Sequence, residues 1–127
     1  MKKLFLGLAL TALTAALYAQ QPGFTRKMLQ DHDLSVSDRH AVQVLVDFVP
    51  GGAVGKHTHP GEELGYVVEG TLEVQIVGQP PRTFKAGDVF FIPAGAVHEG
   101  KNVGGGSAKV LATYIAEKGK PLASAAQ

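Results

Sequence analysis

The sequence contains no cysteine and no tryptophan among its 127 residues. The absence of cysteine excludes disulfide bonds, thiolate metal ligands and a thiol nucleophile. Charged residues make up only 18% of the chain, with 12 basic and 11 acidic side chains and no basic run longer than two residues. A nucleic-acid-binding surface needs clustered lysine and arginine, so we expect no nucleic-acid partner. Metal or acid–base chemistry must therefore come from histidine and carboxylate side chains.

The N-terminal segment has the pattern of a secretory signal peptide. Two lysines follow Met1, an uncharged apolar stretch runs from Leu4 to Leu17, and small residues lie near a cleavage point after Ala19. The alternative is a membrane anchor, but this stretch is shorter than the roughly 20 residues that a bilayer requires. We therefore predict a signal peptide over residues 1–19. The mature protein would be periplasmic or secreted, with no stable membrane anchor after cleavage.

The remaining chain consists of short β-prone segments separated by glycine and proline. Residues 42–48 alternate, which places Val42, Val44, Val46 and Phe48 on one face of a strand. Similar runs continue to residue 116, without a 3.6-residue periodicity. This pattern is typical of an all-β sandwich or barrel, and the length supports a single domain.

The turn residues divide this domain into three parts. We predict an N-terminal arm or edge strand over residues 20–41, a β-barrel over residues 42–116 and a poorly ordered C-terminal tail over residues 117–127. Within the barrel, Glu69–Gly70 is predicted to close a hairpin. The glycine-rich segment at residues 104–107 is predicted to form a wide hairpin loop.

Four side chains are candidates for a metal site. His57 and His59 are separated by one residue, so both imidazoles project from the same face of a strand. Glu63 follows after the Pro60–Gly61 turn, and a barrel could bring His98 to the same point. Three neutral imidazoles and one carboxylate suit a divalent first-row transition metal: Fe, Mn, Co, Ni, Cu or Zn.

Each candidate also has an interpretation that involves no metal. His57 and His59 could be exposed strand histidines, and His98 could be a hydrogen-bonded core histidine. Glu62 competes with Glu63, although strand parity and the spacing to Gly70 favour Glu63. The two remaining histidines lie in a polar stretch and are interpreted as surface residues: His32 and His40.

Two motifs in the chain resemble those of the cupin superfamily. The first is Gly51-x5-His57-x-His59-x3-Glu63-x6-Gly70, and the second is Gly87-x5-Pro93-x-Gly95-x2-His98-x3-Asn102. Sixteen residues separate them, a spacing close to that of small prokaryotic cupins. With its flanking strands, the resemblance to a small single-domain cupin covers about residues 42–116.

The resemblance implies an antiparallel jelly-roll β-barrel, often paired as a homodimer, with one metal in the barrel. The implied ligands are His57, His59, Glu63 and His98. The implied turn residues are Gly51, Gly70, Gly87, Pro93 and Gly95, and Asn102 would close the second motif structurally. Two coordination positions would stay open for water, dioxygen or substrate, as in catalytic rather than structural metal sites.

The walls of the cavity are predicted from strand parity and residue type. Gly65 and Val67 share the parity of Glu63 and should face the cavity, where Gly65 would leave space beside the metal for a small ligand. The other expected wall residues are Val46, Phe48, Phe91 and Tyr114.

Three functions are compatible with a metal-binding barrel of this kind, since a fold does not determine a function. The leading expectation is a metal-dependent, dioxygenase-like enzyme acting on a small organic substrate in an apolar cavity. The second is a non-redox isomerase or lyase acting on a sugar-acid-like compound, with the metal as a Lewis acid. The third is a non-catalytic barrel that binds a metal or small ligand. Arg26, Arg39 and Arg82 are all assigned to the periphery, which disfavours an anionic substrate.

Overall fold

The computed structural model describes residues 23–127, which form ten β-strands and no helix. No membrane-spanning helix is therefore found in this part of the chain. The predicted signal peptide, residues 1–19, lies outside the described residues. The strands are β1 (Phe24–Asp33), β2 (Arg39–Phe48), β3 (Ala53–Thr58), β4 (Gly61–Glu69), β5 (Thr71–Ile76), β6 (Arg82–Lys85), β7 (Val89–Ile92), β8 (His98–Asn102), β9 (Ala108–Glu117) and β10 (Ser124–Ala125).

The strands form two antiparallel sheets of five strands each. The first sheet has the order β1-β2-β9-β4-β7, and the second has the order β10-β3-β8-β5-β6. Only β1–β2 and β5–β6 are consecutive strands that lie in the same sheet. All the remaining connections carry the chain from one sheet to the other. This is a jelly-roll arrangement, and the predicted all-β fold is confirmed.

The hydrophobic core lies between the two sheets. The alternation predicted in β2 is confirmed, because Val42, Val44, Val46 and Phe48 are all buried. Strand β9 pairs with β2 along its full length and buries every second side chain in the same way. These two strands and β4 form the wall against which the second sheet packs.

The predicted hairpin at Glu69–Gly70 is wrong. Strand β4 pairs with β7 and β9 in the first sheet, whereas β5 pairs with β6 and β8 in the second. Gly70 makes this crossing with φ of +80°, and a Cβ there would lie 2.5 Å from the Ser107 carbonyl oxygen. The local sequence resembles a hairpin turn because both connections require a residue with positive φ. Residues 104–107 likewise join β8 to β9 across the sheets.

The predicted disorder of the C-terminal tail is also wrong. Strand β9 extends to Glu117, and β10 pairs with β3 through Ser124 and Ala125. Leu122 packs against the core. The polar, alanine-rich composition of this segment concealed the pairing, since strand addition at a sheet edge depends on backbone hydrogen bonds.

Asn102 ties two loops together from within the core. Its side chain is only 1% exposed. The amide nitrogen donates to the carbonyls of Val49 (3.0 Å) and Gly106 (2.8 Å), and the amide oxygen accepts the Gly104 N–H at 3.0 Å. These bonds give Asn102 a structural role.

We predict that Asn102→Ala lowers the free energy of unfolding by about 2–3 kcal/mol, because it leaves buried backbone groups without partners. Urea denaturation followed by circular dichroism measures the change. The neighbouring exposed residue provides the control, and Lys101→Ala should change stability by less than about 0.5 kcal/mol. Equal stability of the two variants would contradict the role assigned to Asn102.

Candidate metal centre

The four predicted ligands meet at one point between the two sheets. His57 on β3 and His98 on β8 are directly paired across the second sheet. Glu63 lies on β4 of the first sheet. His59 lies in the short connection between β3 and β4, where the chain passes from one sheet to the other.

The distances within this cluster match those of a shared site. One ring nitrogen from each of the three histidines lies within 4.8 Å of the others. Glu63 Oε2 lies 3.1 Å from His59 Nε2 and 3.1 Å from His98 Nε2. Glu62 is directed away, paired with Ile115 on β9, so the structure places Glu63 and not Glu62 beside the imidazoles.

Backbone carbonyls fix the orientation of all three imidazoles. In each case Nδ1 lies within hydrogen-bond distance of a carbonyl oxygen: His57 of Gly55 (2.7 Å), His59 of Leu122 (2.7 Å) and His98 of Ala96 (2.9 Å). A carbonyl only accepts, so each Nδ1 carries the hydrogen and donates it. The Nε2 lone pair of a neutral ring is then free to bind a metal, an arrangement typical of metal-binding histidines.

One buried nitrogen in the cluster lacks a hydrogen-bond partner. His59 Nε2 is fully buried, and its 3.1 Å separation from Glu63 Oε2 does not have hydrogen-bond geometry. With Nδ1 protonated, two electron-rich atoms face each other without a hydrogen between them, which is unfavourable in a buried site. A cation bound to both atoms removes this conflict. The donor set of three imidazole nitrogens and one carboxylate oxygen therefore fits a divalent transition metal.

The surroundings of Glu63 and His57 favour the protonation states that bind a metal. Burial works against ionisation of Glu63, but the neighbouring His59 and His98 outweigh it and lower the pKa of Glu63 to about 2. Burial lowers the pKa of His57 to about 4. Glu63 is thus a carboxylate and His57 a neutral imidazole near pH 7, the forms that bind metals.

His98 differs from His57 because it contacts the carboxylate directly. Burial lowers its pKa, but the hydrogen bond to Glu63 and that to the Ala96 carbonyl outweigh burial, and the pKa of His98 is raised. A proton on His98 therefore supplies the positive charge beside Glu63 when no metal is bound. Protons and metal ions compete for this nitrogen.

The cluster opens into a cavity of about 50 Å³. His57, Glu63 and His98 line it, and most other lining side chains are apolar. Three of the expected wall residues border the cavity: Val46, Phe48 and Tyr114. Val67 also faces inward but is completely buried in the core.

Two of the expected wall residues require correction. Phe91 pairs with Leu64 on the outer face of the first sheet and is 55% exposed, so its neighbour Phe90 lines the cavity instead. Gly65 does not leave open space for a ligand, because the Phe90 ring covers it. A Cβ on Gly65 would lie 2.1 Å from Phe90 Cζ. Residue type indicated an aromatic wall, but only the register of β4 with β7 determines which phenylalanine points inward.

Other groups that shape the site were not among the predicted residues. The carbonyls of Gly55, Ala96 and Leu122 leave no signal in the sequence, since any residue supplies a carbonyl. Arg26 was assigned to the periphery; it is exposed on the outermost strand β1, but it also lines the cavity. His40 lies outside the cluster and bonds to Asp31 at 2.7 Å.

Comparison with known proteins places these features in a family. Residues 44–114, more than half of the chain, match the family model described as Cupin domain. The chain is 42% identical over 74 residues to germin-like protein subfamily 2 member 2 of Arabidopsis thaliana, covering 54% of this chain and 34% of that protein. It is 38% identical over 77 residues to oxalate oxidase 2 of Hordeum vulgare, with the same coverage.

Solved structures agree with this placement. A structure of oxalate oxidase in complex with the substrate analogue glycolate has a TM-score of 0.69 and 28% identity, covering 84% of this chain and 56% of that chain. The chain spans only about a third of the length of the curated relatives named above. The family match and the shared fold confirm the resemblance found in the two sequence motifs. The chain belongs to the cupin family.

Proposed function

We propose that this protein holds one divalent transition metal and uses dioxygen to oxidise a small organic acid. The ligands would be His57, His59, Glu63 and His98. The observation that carries the proposal is that Nε2 of His59 and of His98 both lie 3.1 Å from one Glu63 oxygen, beside an apolar cavity. The similarity to oxalate oxidases supports a redox function over the isomerase or lyase alternative.

A bound redox-active ion such as Mn or Fe would transfer electrons between the acid and dioxygen, which Zn cannot do. The chain's own residues prepare the site for it. Carbonyl bonds hold the imidazole rings in place, and ionised Glu63 supplies a negative charge. Apolar walls restrict water, which strengthens electrostatic interactions inside the cavity.

Tyr114 has a separate role at the cavity wall. Its ring lies 4.5 Å from the His59 ring, measured between centroids, and it is paired with Glu63 across β9 and β4. Burial and, to a lesser extent, the Glu63 carboxylate raise the pKa of Tyr114 above its usual value. The hydroxyl therefore stays protonated and would donate a hydrogen bond to a ligand rather than remove a proton from it.

For oxalate, the proposed reaction converts one oxalate, one dioxygen and two protons into two carbon dioxide molecules and one hydrogen peroxide. The carbon–carbon bond breaks, and two electrons pass from the acid to dioxygen. A dioxygenase-like reaction would instead insert oxygen atoms into the product and release no peroxide. Peroxide yield thus separates the two redox outcomes.

The extracytoplasmic location also belongs to this proposal. It rests on residues 1–19, whose basic start and apolar stretch have the signal-peptide pattern.

We further propose that the protein is a homodimer joined through the outer face of the first sheet. On this face Leu64 pairs with Phe91 and Tyr66 pairs with Val89, and these four side chains are 45–67% exposed. Monomeric proteins rarely expose apolar patches of this kind. A second copy related by a two-fold axis would cover the patch with the same patch.

Tyr66→Glu is predicted to convert the dimer to a monomer, because a carboxylate in the paired patch would be buried without a partner. Size-exclusion chromatography with light scattering measures the mass. Val77→Glu is the control, since Val77 is also exposed but lies in the turn after β5. A wild-type chain that is monomeric at tens of micromolar contradicts the dimer.

His59→Ala is predicted to lower the affinity for Mn(II) or Co(II) by about 100-fold or more, because one of four ligands is lost and removal of a group that only orients a ligand already costs about 10–100-fold. Calorimetric titration of metal-free protein measures the affinity. His40→Ala is the matched control, since its ring bonds to Asp31 on the surface. Equal affinities of the two variants would exclude this metal centre.

Oxygen consumption tests the reaction itself. Protein loaded with Mn(II) or Fe(II) is predicted to consume dioxygen in the presence of oxalate or glycolate, and His57→Ala should abolish this consumption. Zn(II)-loaded protein is the redox-inactive control. Conversion of substrate without oxygen, or by the Zn(II) form, would favour non-redox chemistry and contradict the proposal.

A further inference from the structure

Strand β1 places one arginine on the inner face of the first sheet. Arg26 pairs with Val46, whose side chain is buried in the barrel. In the same row across the sheet, Val46 pairs with Val110 and Val110 pairs with Val67. Arg26 therefore ends an inward-facing row of valines at the edge of the sheet. Unlike the valines it is exposed, because β1 is the outermost strand.

The guanidinium group of Arg26 is held at the cavity but is not neutralised. Its Cζ lies 4.9 Å from the centroid of the Phe24 ring, a cation–π contact that restricts the side chain. Arg26 forms no ion pair with any residue in the range 23–127. Stacking on a ring occupies the face of the guanidinium and leaves its N–H edges available to an anion.

Arg26 also dominates the positive charge of the cavity. Of the described residues that line it, Arg26 alone is an arginine or lysine. Glu99 borders the same opening, but it alternates along β8 with the inward residue His98 and also borders a polar groove with Glu73 and Lys101. Glu99 therefore belongs to the outer face of the second sheet and does not pair with Arg26.

The charge of Arg26 acts on the interior of the cavity. Burial and Glu63 raise the pKa of Tyr114, and Arg26 partly opposes this rise. The guanidinium is thus close enough to influence a hydroxyl beside the histidine cluster. A small ligand that contacts Tyr114 would be within the same field.

We propose that Arg26 binds the carboxylate of the substrate at the mouth of the cavity and so selects small carboxylate anions. A guanidinium recognises a carboxylate through two parallel N–H···O bonds. An apolar cavity with an arginine at its mouth favours a compact acid that presents a carboxylate at that end. The identity of the acid as a substrate rests on the proposed function, whereas its binding by Arg26 does not require turnover.

Calorimetry of anaerobic, Zn(II)-loaded protein tests the proposal without any reaction. Arg26→Gln should weaken glycolate binding by about tenfold or more, the lower range for a hydrogen bond to a charged group. Arg26→Lys keeps the charge without the two-pronged geometry and should give an intermediate loss. Arg82→Gln is the matched control, because Arg82 lies 5.1 Å from the Phe84 ring centroid in the same kind of contact but does not line this cavity.

The uncharged analogue glycolamide separates recognition from a structural effect. Its affinity should be the same for wild type and Arg26→Gln, since it has no carboxylate to lose. Equal glycolate affinity of these two proteins would overturn the proposal, as would a wild-type protein that binds metal but no small carboxylate. Glycolate binding that depends on Arg26 in a protein that consumes no dioxygen would support this inference and refute only the oxidase function.

Discussion

The structure of the site depends on the contact between one Glu63 oxygen and the Nε2 atoms of His59 and His98. All three atoms are buried and electron-rich when the histidines are neutral, and Glu63 Oε2 lies 3.1 Å from each of the two nitrogens. The repulsion is relieved only by a positive charge, either a proton on His98 or a metal ion shared by the group. The raised pKa of His98 favours the first of these states, in which His98 carries a proton. A proton on His98 leaves His59 Nε2 without a partner. A metal ion would bind this nitrogen as well as the others.

The jelly roll maintains this arrangement because the two sheets contribute different ligands. His57 and His98 are neighbours in the second sheet, and Glu63 approaches them from the first. His57 and His98 are each bonded to the carbonyl two residues earlier in the chain. His59 is bonded to the carbonyl of Leu122, in the C-terminal segment that adds β10 to the second sheet. Rotation of any ring would break such a bond in a largely buried site. The site is therefore preorganised by the backbone as well as by side-chain packing.

The fold class could be predicted from the sequence because it depends on local patterns such as the alternation in β2. The grouping of the four side chains came from the resemblance of the two motifs to cupins, since His59 lies outside strand β3 and His98 is 35 positions from Glu63. The predictions of a hairpin at Glu69–Gly70 and of an inward-facing Phe91 were wrong, because strand pairing and register are set by long-range contacts. Arg26 was missed for the same reason. Its inward orientation follows from its pairing with Val46, 20 positions away in the chain.

Nitrogen-15 NMR of the histidine rings tests the metal centre most directly, with diamagnetic Zn(II) as the probe ion. The account predicts that one equivalent of Zn(II) shifts the Nε2 resonances of His57, His59 and His98. Their Nδ1 atoms should remain protonated, and the resonances of His32 and His40 should stay unchanged. Binding through Nδ1, or no change at these three rings, would contradict the account.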